Sequence, residues 1–457
     1  MTPVSREEVT IGIDIGSTAV KAVAADADGR VVARARIPHE LRVPTPDRLE
    51  HNADEAWRLG PLAALEHLAW PDASAVAVSA MVPSLTAVDS DGHPITPGLL
   101  YGDSRGRGVG TDAQGTGGPL PPGEAAEFVR WTAAQAPDAA GYWPAPAVAN
   151  YALAGEAVID FPTAYTALPL FDGGGWNAQA CAERGATVDQ MPRVEAPGVA
   201  AGRLRATAGR PVVLAVGAID ALCEQMVAGA DDDGDVLVLC GTTLIVWVTI
   251  SEARQVPGLW TIPTMTGKSQ IGGASNAGGL FLGWVDRVLR PGDPATAVDP
   301  RRVPVWSPYL RGERVPLHDP DRRGMLDALD LTDDAATLRR AAYEASGFVV
   351  RQLIELSGAN ASRIVAAGGG TRVEPWLRAI ADATGRPVAV SAVAEGAALG
   401  AAFLGRMALG RESSITDAAR WAATERVVQP DPAWTGPMEE RYCRFLELGA
   451  RQSRGLG

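Results

Sequence analysis

The chain has few residues of the kinds that build zinc or redox centres. Its 457 residues include four cysteines, which are widely spaced and form no C-x-x-C pair. This spacing argues against structural zinc and is typical of a protein in a reducing compartment. The five histidines show no ligand spacing. We therefore expect a cytoplasmic protein with neither a zinc site nor a histidine-based metal site.

The sequence also lacks an excess of basic residues and a membrane-spanning run. Lys and Arg number 41 against 54 Asp and Glu, so the formal net charge is −13. Non-specific nucleic-acid binding needs a basic surface, whereas an anionic small molecule needs only a few local cations. The most apolar run, residues 236–250, is too short to cross a bilayer. The polar N-terminal residues do not resemble a signal peptide. We expect neither nucleic acid nor membrane as a partner.

An acidic residue stands at the end of the first apolar run. Residues 9–21 are predicted to form a strand, a turn of residues 16–18 (Gly-Ser-Thr), and a second strand. Backbone N–H groups in such a turn form a concave anion site, and Asp14 beside it is costly to bury unless a charged group meets it. The segment is therefore either a phosphate-binding hairpin with Asp14 on the Mg²⁺ side, or an ordinary hairpin that ends in an aspartate.

The same pattern returns in the second half of the chain. Residues 235–248 again predict a strand, a turn of residues 241–243 (Gly-Thr-Thr), and a strand. The first hairpin belongs to a predicted three-strand meander, with runs at 9–14, 18–24 and 31–37. Two halves that each open on such a hairpin indicate duplication, with a ligand bound between them.

Later segments follow a βαβ order. A strand over 364–367 runs into three glycines, and a helix over 373–384 and a strand over 387–390 come next. This order suits a nucleotide, although three glycines can also form a flexible turn. The chain has no G-x-x-x-x-G-K-[ST] motif, which excludes a P-loop enzyme. A long amphipathic helix is predicted over 333–356, with Thr332 as its N-cap.

Taken in chain order, these segments resemble the motifs of the FGGY carbohydrate kinases, the group that contains xylulokinase, gluconate kinase and glycerol kinase within the actin-like ATPase superfamily. The similar segments cover nearly the whole chain: 13–21 (first phosphate motif), 101–105 (sugar motif W-x-D-x-R, with Tyr for Trp), 151–160, 217–220 (G-x-x-D), 240–243 (second phosphate motif), 308–316 (PyLxGERtP) and 368–402 (adenosine motif).

The resemblance implies an α/β fold of two ribonuclease-H-like domains that flank a deep cleft. We place an N-terminal FGGY domain over residues 1–228, with the sugar site, the first phosphate motif and the catalytic base. A C-terminal FGGY domain over residues 229–457 holds the second phosphate motif and the adenosine site. The resemblance also implies transfer of the ATP γ-phosphate to a sugar hydroxyl, and homodimers are common in the family.

The resemblance assigns roles to individual residues. Asp14 would hold Mg²⁺, and Asp220 would accept the proton of the attacking hydroxyl, as a general base or a helix N-cap or both. Asp103 and Arg105 would hold sugar hydroxyls or hold each other. The residues expected to bind ATP are Gly16, Ser17, Thr18, Lys21, Gly241, Thr242, Thr243, Gly368, Gly369, Gly370 and Trp376. The residues expected to bind the sugar are Met81, Tyr101, Asp103, Arg105 and Asp220.

One departure from the family pattern affects the choice of acceptor. Xylulokinase-like members carry a Q-M-H loop that touches the sugar, and this chain has Ala80, Met81 and Val82 there. Two polar sugar contacts are therefore missing, and buried polar contacts decide which hydroxyls a site accepts. We expect a ketopentose such as xylulose, with the acceptor left open.

Two other functions compete with the sugar kinase. The first is a catalytically weakened relative that binds nucleotide or sugar as a sensor, against which the presence of both Asp14 and Asp220 argues. The second is an actin-like ATPase that acts on protein partners, against which the sugar motif at 101–105 argues.

Overall fold

The computed structural model describes residues 9–454, except 46, 71–72, 107–122, 206–210, 265, 290–296 and 394. Within them the chain forms two compact units. Residues up to 227, together with 395–422, build the first unit, and residues 228–393 and 423–454 build the second. The division at residue 228 remains a proposal, to which the structure adds that residues 395–422 group with the first unit.

The strands, in chain order, are β1 (Val9–Ile15), β2 (Ala19–Ala25), β3 (Val31–Pro38), β4 (Glu50–His51), β5 (Ala73–Ala80), β6 (Ser84–Val88), β7 (Gly98–Leu100), β8 (Gly141–Trp143), β9 (Val158–Asp160), β10 (Arg193–Glu195), β11 (Ala200–Arg203), β12 (Val213–Ala215), β13 (Val236–Cys240), β14 (Leu244–Ile250), β15 (Trp260–Pro263), β16 (Ser269–Ser275), β17 (Val305–Ser307), β18 (Met325–Asp327), β19 (Ile364–Ala367), β20 (Val388–Ser391) and β21 (Thr424–Val428).

The helices are α1 (Gly60–Leu68), α2 (Glu124–Gln135), α3 (Ala145–Ala154), α4 (Phe161–Tyr165), α5 (Ala178–Ala182), α6 (Asp220–Ala228), α7 (Gly279–Val288), α8 (Ala335–Ser357), α9 (Glu374–Thr384), α10 (Gly396–Ala408) and α11 (Pro432–Arg454). A π-helical turn, Asp54–Leu59, precedes α1. Within the described part of the chain, no helix combines the length and the apolar character that a bilayer crossing requires.

Both units are built on a mixed sheet with the same core. In the first unit the order is β11-β12-β5-β1-β2-β3, where β1, β2 and β3 are antiparallel and β5 and β12 add in parallel. In the second unit the order is β15-β16-β14-β13-β19-β20-β21, where β13, β14 and β16 are antiparallel and β19 and β20 add in parallel. The meander and the repetition predicted from the two hairpins are both confirmed, as is the two-domain α/β fold class.

The core strands are apolar along nearly their whole length. β1 and β13 are buried at every position, as expected for strands at the centre of a sheet that is covered on both faces. Helix α10 packs on β1 and β5 through small residues. A Cβ placed on Gly12 of β1 would lie 1.7 Å from the carbonyl oxygen of Ala398, so strand and helix backbones touch directly there.

One predicted helix cap is wrong. The side chain of Asp334 caps α8 by accepting a hydrogen bond from the N–H of Thr337 (2.8 Å). Thr332 instead donates its backbone N–H and its hydroxyl to Asp330, because a turn precedes the helix. The βαβ prediction is confirmed, since β19 and β20 are parallel and Gly385 ends α9 with a φ of +64°.

Candidate active site

Asp14 and Lys21 face each other across the first hairpin. They are directly paired in the register of β1 and β2, and Lys21 Nζ lies 3.5 Å from Asp14 Oδ2. The other carboxylate oxygen, Oδ1, is buried and has no hydrogen-bond partner in the structure. Burial raises the pKa of Asp14, and Lys21 partly offsets this rise. A buried carboxylate oxygen without a partner is costly, which suits a cation or a donor supplied by a ligand.

The donor set fits Mg²⁺ that is shared with a nucleotide. Mg²⁺ usually keeps several waters and is bound through one or two carboxylates and the substrate phosphates. Asp14 offers one such oxygen beside the turn of residues 16–18. The described residues contain no group of three or more His, Cys, Asp or Glu side chains that could hold a metal alone.

The turn of residues 16–18 is held from several sides. The N–H of Gly16 donates to the carbonyl of Ala19 (3.1 Å) and closes the hairpin. The carbonyl of Ser17 lies 2.8 Å from His51 Nε2, and the hydroxyl of Ser17 lies 2.9 Å from the hydroxyl of Tyr101. Thr18 is exposed. The structure thus links the predicted phosphate turn directly to the predicted sugar motif.

Within the sugar motif, Asp103 and Arg105 hold each other. The Arg105 Nε and terminal nitrogen donate to the two Asp103 oxygens at 2.8 and 2.7 Å, and that terminal nitrogen also reaches Glu50 at 2.8 Å. The N–H of Leu49 donates to Asp103 at 2.6 Å. The guanidinium stacks over Trp131 at 4.8 Å. Of the two alternatives drawn from the sequence, the mutual ion pair is therefore formed.

Met81 follows β5 and is buried. Its side chain is 3 % exposed, and its N–H donates to the carbonyl of Ile15 at 3.5 Å. The residue therefore joins the end of β5 to the end of β1, next to the predicted phosphate turn of residues 16–18. A sugar contact by Met81 remains a prediction.

Asp220 is the first residue of α6. One of its carboxylate oxygens accepts a hydrogen bond from the N–H of Ala221 (2.7 Å), which fixes the side chain at the helix start. Burial, and then the charge of Asp14, raise the pKa of Asp220 to about 7. A general base is most effective when its pKa lies near the working pH, so burial gives Asp220 the acid–base property that the predicted role needs.

A second carboxyl group, Glu224, was missed from the sequence. It lies one turn after Asp220 on α6, and its Oε1 is buried with no hydrogen-bond partner in the structure. Burial, together with the charges of Asp14 and Asp220, raises the pKa of Glu224 to about 8, and Lys21 opposes this rise. A Cβ on Gly396 would lie 2.9 Å from Glu224 Cγ, so the side chain lies against the start of α10. The i, i+4 spacing of Asp220 and Glu224 was the available signal.

Replacing Glu224 by Gln is expected to stabilise the ligand-free protein, by an amount that grows by up to about 1.4 kcal/mol for each pH unit between about 4.5 and about 8. The folded state holds its proton more tightly than the unfolded state, whose pKa is near the ordinary 4.5. The wild type therefore loses stability as the pH rises from about 4.5 to about 8, and the variant does not. Urea unfolding of both proteins across this range measures the difference.

A matched control is the substitution of an exposed glutamate, Glu66→Gln on α1. It should change the free energy of unfolding little, because the side chain is exposed. If Glu224→Gln changes the free energy of unfolding by the same amount at pH 5 and pH 9, the folded protein does not disfavour the ionised form of Glu224.

In the second unit, the turn of residues 241–243 is bound to the start of α7. The N–H of Gly279 donates to the carbonyl of Gly241 (2.8 Å), and the N–H of Leu280 donates to the carbonyl of Thr242 (3.0 Å). A terminal nitrogen of Arg314 lies 3.3 Å from the Thr243 hydroxyl. The turn is therefore held by two other segments of its unit.

Arg314 belongs to the 308–316 segment, which the sequence analysis placed in the family pattern without assigning it a role. Its neighbour Glu313 is 3 % exposed and accepts hydrogen bonds from the Ser275 hydroxyl (3.0 Å) and from the N–H groups of Asn276 (3.2 Å) and Arg314 (2.8 Å). Burial raises the pKa of Glu313 to about 7. Through Arg314, this segment thus supports the turn of residues 241–243, the second predicted phosphate turn.

The glycine turn of residues 368–370 packs against the end of β13. Gly368 has a φ of +88°, and a Cβ on Gly370 would lie 2.6 Å from the carbonyl oxygen of Cys240. Gly369 is exposed. The structure therefore brings the two glycine-containing turns of the second unit together.

Trp376, which follows the glycine turn, is buried. It is 1 % exposed and donates its indole N–H to Ser346 (2.8 Å). The ring supports the glycine turn from the core, and the expected contact of Trp376 with a nucleotide does not fit this burial.

Comparison with known proteins matches this chain to one family. Models of the N-terminal and C-terminal domains of the FGGY family of carbohydrate kinases match residues 9–212 and 236–409. A gluconokinase of Bacillus subtilis is 27 % identical over 461 residues, covering 89 % of this chain and 88 % of the relative. A xylulose kinase of Streptomyces coelicolor is 27 % identical over 456 residues, covering 90 % of each. The structure of a gluconate kinase from Lactobacillus acidophilus superposes with a TM-score of 0.81 at 19 % identity, over 98 % of this chain and 99 % of the other.

Proposed function

The chain belongs to the FGGY family of carbohydrate kinases, and from this premise we propose that it transfers the γ-phosphoryl group of ATP to a hydroxyl of a neutral sugar, a ketopentose such as xylulose, with Asp220 as general base. As a member of this family it is a phosphotransferase with an alcohol group as acceptor. The observation that supports the mechanism best is the Asp220 carboxylate, fixed at a helix start, with its pKa raised by burial and by Asp14.

Phosphoryl transfer requires positioning, charge neutralisation and a proton acceptor. Asp220 would take the proton of the sugar hydroxyl as that oxygen attacks the γ-phosphorus. The N–H groups and hydroxyls of residues 16–18, and of residues 241–243 in the second unit, would hold phosphate oxygens. Lys21 would contribute positive charge beside Asp14. The Asp14 carboxylate would hold Mg²⁺, which when bound neutralises charge on the phosphates.

The sugar motif supports a neutral acceptor. Arg105 is the cation of this cluster among the described residues, and two carboxylates, Asp103 and Glu50, already bind it. The cluster therefore has a net charge of about −1, counting each ionised side chain once. An acceptor that carries its own carboxylate would be repelled there, whereas a sugar hydroxyl can donate to the Glu50 carboxylate, which is more exposed than that of Asp103.

Gluconate is the second candidate, because gluconokinases of two Bacillus species are among the similar proteins. Glycerol is a further possible acceptor, since a glycerol kinase of Nocardia farcinica is 26 % identical. The cytoplasmic location and the homodimer expected from the sequence remain predictions.

A coupled ADP-release assay with xylulose, gluconate and glycerol tests the proposal. We expect kcat/KM for xylulose to exceed that for gluconate by about tenfold or more, a difference of about 1.4 kcal/mol that one unfavourable charge contact can supply. Faster turnover of gluconate would reverse the choice of acceptor. Nucleotide binding without turnover of any acceptor would favour the sensor.

A further inference from the structure

Three consecutive residues, 49–51, each contact one of the two predicted ligand motifs of the first unit. We call them the tie segment. The N–H of Leu49 donates to Asp103, and the Glu50 carboxylate accepts from Arg105 (2.8 Å). His51 contacts the carbonyl of Ser17 (2.8 Å). The tie segment thus joins the sugar motif to the phosphate turn through direct hydrogen bonds.

The protonation of His51 follows from its partners. The indole N–H of Trp57 can only donate, and it lies 3.0 Å from His51 Nδ1, which must therefore accept. The ring hydrogen is thus on Nε2, which donates to the Ser17 carbonyl. His51 is 1 % exposed and Trp57 is fully buried. Burial lowers the pKa of His51 to about 3, so the ring stays neutral and keeps this single arrangement at working pH.

This hydrogen bond sets the orientation of a peptide group in the phosphate turn. In a trans peptide the C=O and the following N–H point in opposite directions. Because the Ser17 carbonyl points to His51, the N–H of Thr18 points away from it, and the turn cannot flip this peptide without breaking a part-buried hydrogen bond. The hydroxyl of Ser17 is held separately, by Tyr101 of the sugar motif (2.9 Å).

We propose that His51 is a positioning residue that couples the acceptor site to the phosphate-binding turn, so that an acceptor bound at residues 101–105 strengthens nucleotide binding at residues 16–18. This inference rests on the proposed kinase function. The coupling runs from the Asp103–Arg105 pair through the tie segment to the Ser17 carbonyl, with Tyr101 as a second connection. By reciprocity, the nucleotide strengthens acceptor binding by the same factor.

The test measures the affinity for a non-hydrolysable ATP analogue by titration calorimetry, with and without a saturating acceptor. In the wild type we expect the acceptor to tighten the Kd of the analogue by about fivefold or more. In His51→Leu this ratio should fall below about twofold, while the Kd of the acceptor alone changes little. In kinetics the KM for ATP should rise more than the KM for the acceptor.

Two further variants separate positioning from simple structural support. His51→Gln keeps a side-chain N–H donor and should restore much of the coupling. Trp57→Phe keeps the buried ring and removes the donor that fixes the His51 tautomer, so the coupling should fall to an intermediate value. It also serves as the test if His51→Leu does not fold. The matched control is the exposed residue His67→Leu, which should keep the wild-type ratio.

The possible outcomes distinguish a failure of the inference from a failure of the proposed kinase function on which it rests. A folded His51→Leu protein that keeps the wild-type ratio would overturn the inference, as would equal losses of affinity for both ligands with the ratio unchanged. A wild type that binds neither the analogue nor any acceptor would instead overturn the proposed function.

Discussion

Replacing Asp220 by Asn is expected to lower kcat by about 10³-fold, within the 10²–10⁴ range typical of general-base removal. Asn keeps an oxygen that can accept the hydrogen bond from the Ala221 N–H, so α6 should still begin at this residue. The proton of the attacking hydroxyl then has no acceptor. A coupled ADP-release assay under saturating substrates measures the loss.

The same variant should still bind nucleotide, because Asp220 is not among the residues assigned to the phosphates. A matched control is Asp334→Asn, which changes the aspartate that caps α8 in the second unit and should leave kcat unchanged. A folded Asp220→Asn protein that retains more than a tenth of the wild-type kcat would exclude Asp220 as the base.

Replacing Gly12 by Ala is expected to destabilise the first unit by about 3 kcal/mol or more, at the upper end of the cost of overpacking. The added methyl group would lie 1.7 Å from the carbonyl oxygen of Ala398 and 2.5 Å from the backbone nitrogen of Ala402. Backbone atoms cannot move aside as a flexible side chain can, so β1 and α10 would have to separate. Thermal and urea unfolding measure the effect.

Gly405→Ala is the matched control, because it adds the same methyl group from the other side of this interface. That methyl group would lie 3.4 Å from Ala75 Cβ and Thr10 Cβ, which is ordinary contact. In addition, alanine is more favourable than glycine inside a helix by about 1 kcal/mol. We expect Gly405→Ala to be neutral or stabilising. Equal stability of Gly12→Ala and the wild type would contradict the close approach of β1 and α10.

The sequence predicted the features that depend on local pattern. The hairpins at residues 16–18 and 241–243 are visible because buried strands are apolar runs and the turns between them use small hydroxyl residues. The pairing of Asp14 with Lys21 was not predicted, although the hairpin determines it, since a short turn fixes which residues face each other.

The features that the sequence did not predict depend on contacts between distant segments. The tie segment contains β4, a strand of only two residues, and no sequence periodicity can indicate a strand that short. The contact between His51 and Ser17 is a matter of tertiary packing. Trp376 was expected to bind ATP because it lies in the segment that resembles the adenosine motif, whereas in the structure its large ring is buried in the core.

The sugar motif lies between these two cases. Its residue types indicated either ligand contacts or an internal ion pair, and both alternatives have the same spacing. Glu50, on β4, also binds Arg105, and no local pattern could show this contact between distant segments.

The return of residues 395–422 to the first unit has a consequence during synthesis on the ribosome. Strands β1 and β5 leave the ribosome early, whereas α10, the helix that covers them, emerges only after residues 228–394 have been translated. Until then the face of the sheet that α10 will cover stays exposed to solvent. Exposed apolar surface of this kind promotes aggregation and chaperone binding. The part of this protein that is made first therefore cannot complete its fold until residues 395–422 have been translated.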